Sequence, residues 1–123
     1  MSEILISDDL TIEQVQDKFS EHFPFLKLEF FKSAHEAEAG SPKDGLINSK
    51  KIIGDIRTRQ SEGELSIHGN QKVSTLESHF EDNYGLHVQV FRKSGKVWLE
   101  TTKTDSWTLA EQNKMGEEMS TPS

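Results

Sequence analysis

Five histidines, His22, His35, His68, His79 and His87, are the first candidates for chemistry. No two of them have the spacing that brings a pair of imidazoles to one metal from a single helix face. His35-Glu36-Ala37-Glu38 opens like a zinc-protease helix but lacks the second histidine. Asp8 and Asp9 would need Glu21 or Asp82 beside them to work as general acid and base. Acids in the first turn of a helix are already explained by the helix dipole. No Gly-x-Ser-x-Gly elbow presents a serine nucleophile, and the glycines form no dinucleotide fingerprint. The absence of cysteine removes thiolate nucleophiles, disulfides, thiolate zinc sites and iron–sulfur clusters. No catalytic residue, metal or cofactor is expected, and the balance leans against an enzyme.

Binding chemistry is better represented. Arg92-Lys93-Ser94-Gly95-Lys96 is the one concentrated basic run, and Trp98 and Trp107 follow it closely. Cations beside aromatic rings suit an anion or a stacked base. As a hairpin tip, the same cations simply keep a sheet edge soluble. Tryptophan is common at interface hot spots, where its ring buries a large area. Strand alternation points Phe31 and Trp98 away from the main core face. The candidate partner-binding residues are therefore Phe31, Arg92, Lys93, Lys96, Trp98 and Trp107. The run Thr101 to Ser106 places hydroxyls next to a carboxylate, as a cation site would. It reads first as a strand end followed by a helix cap.

The elements that must position these residues occur twice. Ile6, Phe19, Phe30, Lys32 and Ser33 recur as Ile67, Phe80, Phe91, Lys93 and Ser94, 61 residues on. Each copy reads strand, helix, strand. A strand over 3–7 leads to a helix whose apolar face is Ile12, Val15, Phe19 and Phe23, with Thr11 and Gln14 at capping-box spacing. Leu26, Leu28 and Phe30 alternate as a strand. A strand over 64–68 leads to a second helix with Val73, Leu76, Phe80 and Tyr84 on one face and Gly85 as its terminator. Leu86, Val88 and Val90 form the next strand, matching Leu26, Leu28 and Phe30 only at an offset of 60. Gly95 turns a hairpin into a strand with Val97, Leu99 and Thr101 on one face and Trp98 and Glu100 on the other. Thr108 and Glu111 cap a final short helix. Residues 33–45 read as a loop and 60–63 as the join between halves. The stretch 46–58 fits either a short helix capped by Ser49 or a strand.

The 123 residues suffice for one domain with a substantial core. The formal charge is −7, and it is evenly spread: the first 61 residues hold 8 basic and 11 acidic groups, the rest 6 and 10. That opposes broad binding of a phosphate backbone and makes a nucleic-acid partner the lesser expectation. No segment approaches the roughly 20 apolar residues that span a bilayer, and the N-terminus lacks the basic start of a signal peptide. A cytoplasmic setting is expected, with no membrane partner. The expected architecture is α+β: duplicated strand–helix–strand units forming one mixed sheet, with the two main helices on one face. The expected domain runs over 1–114, in halves of about 1–61 and 62–114, followed by a disordered tail over 115–123. The leading functional expectation is a small non-catalytic module that binds a protein partner or itself as a homodimer. The alternatives are anion or nucleic-acid binding through the 92–96 hairpin, and a small-molecule site or enzyme in a cleft between the halves.

Overall fold

The computed structural model describes residues 4–31, 46–58 and 65–120. Along the chain these form β1 (Ile4–Ile6), α1 (Ile12–His22), β2 (Leu26–Phe31), the one-turn helix α2 (Ile53–Ile56), β3 (Leu65–Ile67), α3 (Val73–Tyr84), β4 (His87–Ser94), β5 (Val97–Glu100), a 3-10 turn (Thr102–Thr104) and α4 (Leu109–Ser120). The loop expected over 33–45 and the join over 60–63 lie outside the described residues.

Local chemistry accounts for the helix boundaries. Thr11 and Gln14 form a reciprocal capping box, the Thr11 N–H donating to Gln14 Oε1 at 2.8 Å and the Gln14 N–H to Thr11 Oγ1 at 3.1 Å. Two donors that α1 cannot satisfy internally are thereby satisfied. Ile12, Val15 and Phe19 bury the inner face of α1. On α3 the same face is Val73, Leu76, Phe80 and Tyr84. Gly85 ends α3 at φ 68°, a left-handed position that glycine occupies without a Cβ clash. The Thr108–Glu111 box is present at the start of α4, at 2.8 and 3.1 Å. The Thr108 backbone N–H, then its hydroxyl, hold the Glu111 carboxyl below its ordinary range.

The α+β class is as expected, and α1 and α3 pack on one face against Leu26, Leu28, Phe30, Val88 and Val90. The strands divide differently from the expected single mixed sheet. β1 pairs with β3, and β2, β4 and β5 form a second, three-stranded sheet in that order; each ladder is antiparallel. Each strand–helix–strand unit sets its second strand beside the other unit's second strand, not beside its own first. Partner choice of this kind is non-local, so residue patterns leave it open. In the short ladder Leu5 lies opposite Ser66; in the long one Glu29 lies opposite Gln89.

Backbone hydrogen bonds recur between the halves. Ile12 N–H donates to the Lys51 carbonyl as Val73 N–H donates to that of Trp107. Glu13 to Ser49 is matched by Ser74 to Asp105, Ile53 to Leu10 by Leu109 to Gln71, and Gly54 to Asp8 by Ala110 to Gly69. The one-turn helix α2 thus stands against α1 as the start of α4 stands against α3. The one-residue slip between the second strands arises at the turn before them. Phe23 to Leu26 covers three peptide steps, and Tyr84 to Leu86 covers two, because left-handed Gly85 reverses the chain in a single residue.

Two further expectations are corrected. Ser49 does not cap α2, whose N-cap is Ile52; the Ser49 carbonyl instead accepts from Glu13 N–H at 2.9 Å. The expected tail from Met115 is helical through Ser120. Gly116 is the reason, since its missing side chain lets α4 lie directly on Phe25 and Arg92. Ser120 Oγ then accepts from Gly95 N–H at 3.1 Å, tying the helix end to the β4–β5 hairpin.

Candidate functional site

The three-stranded sheet has two unlike faces, and the candidate residues are shared between them. Opposed residues in an antiparallel pair lie on the same face. Leu26, Arg92 and Leu99 form one row on the helix-covered face. Lys27, Phe91 and Glu100 form a row on the far face, with Lys93 opposite Trp98 beside it. Phe31 and Phe91 build a small second cluster there with Leu46. Phe31 is only 1 % exposed, so it supports the far face from within and is not available as a contact surface. Lys27 lies across this face, its ammonium 5.5 Å from the Phe91 ring and 5.1 Å from the Trp98 ring.

The basic run does not converge on one anion site. Arg92 turns toward α4, donating to Gln112 Oε1 at 2.9 Å with its guanidinium 5.8 Å from the Trp107 ring. Lys93 points to the opposite face, and Lys96 is exposed in the turn. The two tryptophans separate in the same way: Trp98 is on the far face, while Trp107 belongs with Arg92 under α4. The hydroxyls of Thr101 and Thr104 are used internally. Thr101 Oγ1 donates to the Val90 carbonyl at 3.0 Å, and Thr104 accepts from Gln112 Nε2 through its carbonyl at 2.7 Å and through Oγ1 at 2.8 Å.

Gly116 makes the Arg92 arrangement possible, and this can be tested. A Cβ there would sit 2.8 Å from Phe25 Cβ and 3.1 Å from the Phe25 carbonyl oxygen. Alanine in a helix interior normally gains about 1 kcal/mol over glycine. Here Gly116→Ala is expected to lose about 1–2 kcal/mol net, because overpacking against backbone dominates. A urea midpoint that rises in this variant would show that α4 is not seated as described.

The edges of this sheet differ sharply. On β2, the carbonyls facing away from β4 are occupied: Ser20 Oγ donates to Leu26 at 3.1 Å, Gln16 Nε2 to Leu28 at 2.8 Å, and Ile47 N–H to Phe30 at 3.0 Å. On β5 the corresponding groups belong to Trp98 and Glu100. Lys93 N–H donates to the Phe25 carbonyl at 2.9 Å, on the side away from β5. Lys93 and Trp98 are therefore a non-hydrogen-bonded pair, and the Trp98 main-chain groups point outward. Those of Glu100, two residues on, do the same. Among the described residues, no hydrogen bond engages either. The β5 side chains are equally open, with Val97 55 %, Trp98 38 % and Leu99 42 % exposed. Alternation along β5 singles out Trp98 and sets Val97 and Leu99 on the opposite face, where they too are open. The missed signal was position: an edge strand at the end of a sheet lacks a neighbour to cover its second face.

The boundary between the halves is filled where it is described. Phe30 meets Phe80 edge-on at 5.4 Å, and the Tyr84 hydroxyl donates to the Ile6 carbonyl at 3.0 Å. Surface depressions of about 340 and 300 Å³ lie elsewhere, the first bordered by Trp107, Glu111 and Met115, the second by Leu5, Lys18 and His22. No helix among the described residues is long and apolar enough to cross a membrane. No family model, curated protein or solved structure matches this chain.

Proposed function

We propose that this protein is a small non-catalytic interaction module, built from two copies of one strand–helix–strand unit, that docks a protein partner by adding a strand to the β5 edge. The observation that carries this function is the contrast between edges: the outward carbonyls of β2 are satisfied by Gln16, Ser20 and Ile47, while β5 offers an apolar Val-Trp-Leu strand with outward main-chain groups. Edge strands of soluble proteins are ordinarily shortened, charged or covered, because an open one templates pairing. Strand addition uses those main-chain groups for affinity and the alternate side chains for specificity. Trp98 is the natural anchor, a large ring with one N–H that is exposed on the far face while Phe31 and Phe91 there are buried. The separation of Arg92, Lys93 and Lys96 removes the support that adjacency in sequence gave to anion binding.

Trp98→Ala is expected to weaken recovery of the protein partner, or association in solution, at least tenfold. Far-UV circular dichroism should be unchanged, because the Trp98 side chain is exposed and belongs to neither buried cluster. Native mass spectrometry of tagged protein recovered from its own cells supplies the readout. Recovery of nucleic acid or a small molecule in place of protein, or association that ignores this substitution, would remove the proposal.

A further inference from the structure

We infer that the strand docked on β5 is the β5 of a second copy of this chain, antiparallel, with the two-fold axis through Trp98. This pairing rests on the edge-docking function proposed above and names its partner. Three observations converge on it. The first is the phase of the backbone. Trp98 and Glu100 turn their N–H and C=O groups outward, and Val97 and Leu99 turn theirs toward β4. Two copies can exchange main-chain bonds only where an outward residue meets an outward residue. Centring the axis on Trp98 sets Trp98 against Trp98 as a hydrogen-bonded pair. Centring it between Val97 and Trp98 would set an outward residue against an inward one and lose those bonds.

The second observation is charge. Lys96, in the turn immediately before β5, lies two residues before Trp98, and Glu100, on the face of Trp98, lies two residues after it; both are exposed. In the register centred on Trp98, Lys96 of each copy lies opposite Glu100 of the other. Two opposite-charge pairs then flank the central rings. Moving the axis to Val97 or to Leu99 keeps a main-chain phase for part of the strand but sets Lys96 or Glu100 against Trp98 and loses both charge pairs. Among the described residues, neither Lys96 nor Glu100 has an ion pair within its own chain, so the dimer breaks none to form these.

The third is apolar matching. Val97 of one copy meets Leu99 of the other on the helix-covered face, and both are exposed in the single chain. Met119, 57 % exposed and next to the Ser120 that holds Gly95, stands at the same end of the hairpin. The result is a continuous six-stranded antiparallel sheet in the order β2-β4-β5-β5-β4-β2. Its outer edges are the two β2 strands, whose outward carbonyls are already occupied. The assembly therefore closes as a dimer and does not extend into a filament, as expected of an isologous two-fold contact.

Charge reversal tests partner and register together. Sedimentation equilibrium of the wild-type chain should show a monomer–dimer equilibrium, weakened at least tenfold by Trp98→Ala. Lys96→Glu makes both flanking pairs repulsive, and so does Glu100→Lys; each is expected to weaken the dimer about tenfold at low salt, since cross-strand charge pairs act twice per dimer. An equimolar mixture of the two single variants should recover association, because acidic copies then face basic ones. The double variant Lys96→Glu/Glu100→Lys should recover it as well. Both exposed substitutions leave the internal ladder intact, and circular dichroism verifies this. A wild-type chain that stays monomeric to millimolar concentration, or single variants whose mixture stays monomeric while wild type dimerises, would overturn the pairing. A monomer that still binds a different protein through Trp98 would overturn self-pairing alone and leave edge docking standing. Dimerisation indifferent to Trp98→Ala would overturn both.

Discussion

Phe80→Ala is expected to cost about 3–5 kcal/mol of folding stability, the range for truncating a fully buried phenylalanine. Phe80 is wholly buried on the inner face of α3. Its ring meets Phe30 of β2 edge-on, with centroids 5.4 Å apart and planes at 88°, and Tyr84 at 6.0 Å and 73°. Perpendicular contacts set the positive edge of one ring against the negative face of another and add about 0.5–1.5 kcal/mol beyond area burial. The loss is large because it falls where the second half packs on the first. The cavity would open between α3 and the long ladder, and the helix cannot collapse into it without pulling Tyr84 from the Ile6 carbonyl. A domain of this size has about 5–15 kcal/mol in all, so the variant would be marginal at 37 °C. Urea unfolding at 25 °C measures the effect. Phe91→Ala is the internal comparison: Phe91 belongs to the small far-face cluster with Phe31, and its removal should cost clearly less. Equal losses would mean that the sheet is not asymmetric in the way its two faces suggest.

The same residues show how far the amino-acid pattern reached. Helical faces were legible because period and burial agree: Ile12, Val15 and Phe19, then Val73, Leu76 and Phe80, are all buried. Both capping boxes were legible because their chemistry is local, a side chain bonding a backbone three residues away. The hairpin was legible from Gly95, whose φ is 64°. What escaped was non-local. Nothing in the sequence states that β2 would pair with β4 and β1 with β3, since alternation specifies a face and not a neighbour. The far-face reading of Phe31 was correct, but Leu46 and Phe91 close over it. Arg92 and Lys93 looked like one basic cluster although consecutive strand residues project to opposite faces. The helix beyond Met115 escaped because a polar segment at a chain terminus reads as a disordered tail, whereas Gly116 gives it a close approach to Phe25. At β5, Val97 and Leu99 alternate like core residues, and only the strand's place at the end of the sheet leaves them uncovered.

Arg57→Ala is the other substitution expected to act strongly, at about 2–4 kcal/mol, because it removes charge-assisted hydrogen bonds and a cation–ring contact together. Arg57 follows α2, and its side chain is only 4 % exposed. The guanidinium donates to the Asp8 carboxylate at 2.6 Å and to the Asn83 carbonyl at 2.8 Å, and it lies 4.0 Å from the centroid of the Tyr84 ring. Thr58 continues the strap, its N–H donating to the Tyr84 carbonyl at 2.8 Å and its hydroxyl to the Gly85 carbonyl at 3.2 Å. A cation at the C-terminus of α3 also complements the partial negative charge of the helix end. These contacts fasten the exit of the first half to the last turn of the second half's main helix. The ion pair is the smaller share, because the Asp8 side chain is 55 % exposed and such pairs are worth less than about 1 kcal/mol. Asp8→Asn should therefore cost little, and added salt should narrow the gap between wild type and Arg57→Ala only slightly. Arg57→Lys should recover a minority of the loss: an ammonium can reach one acceptor but cannot stack as a plane on Tyr84 while bridging Asp8 and Asn83. Thermal unfolding of the three variants decides the matter. If Asp8→Asn destabilised as much as Arg57→Ala, the strap would be an ion pair and little else, and its hold on α3 would not depend on the Tyr84 ring.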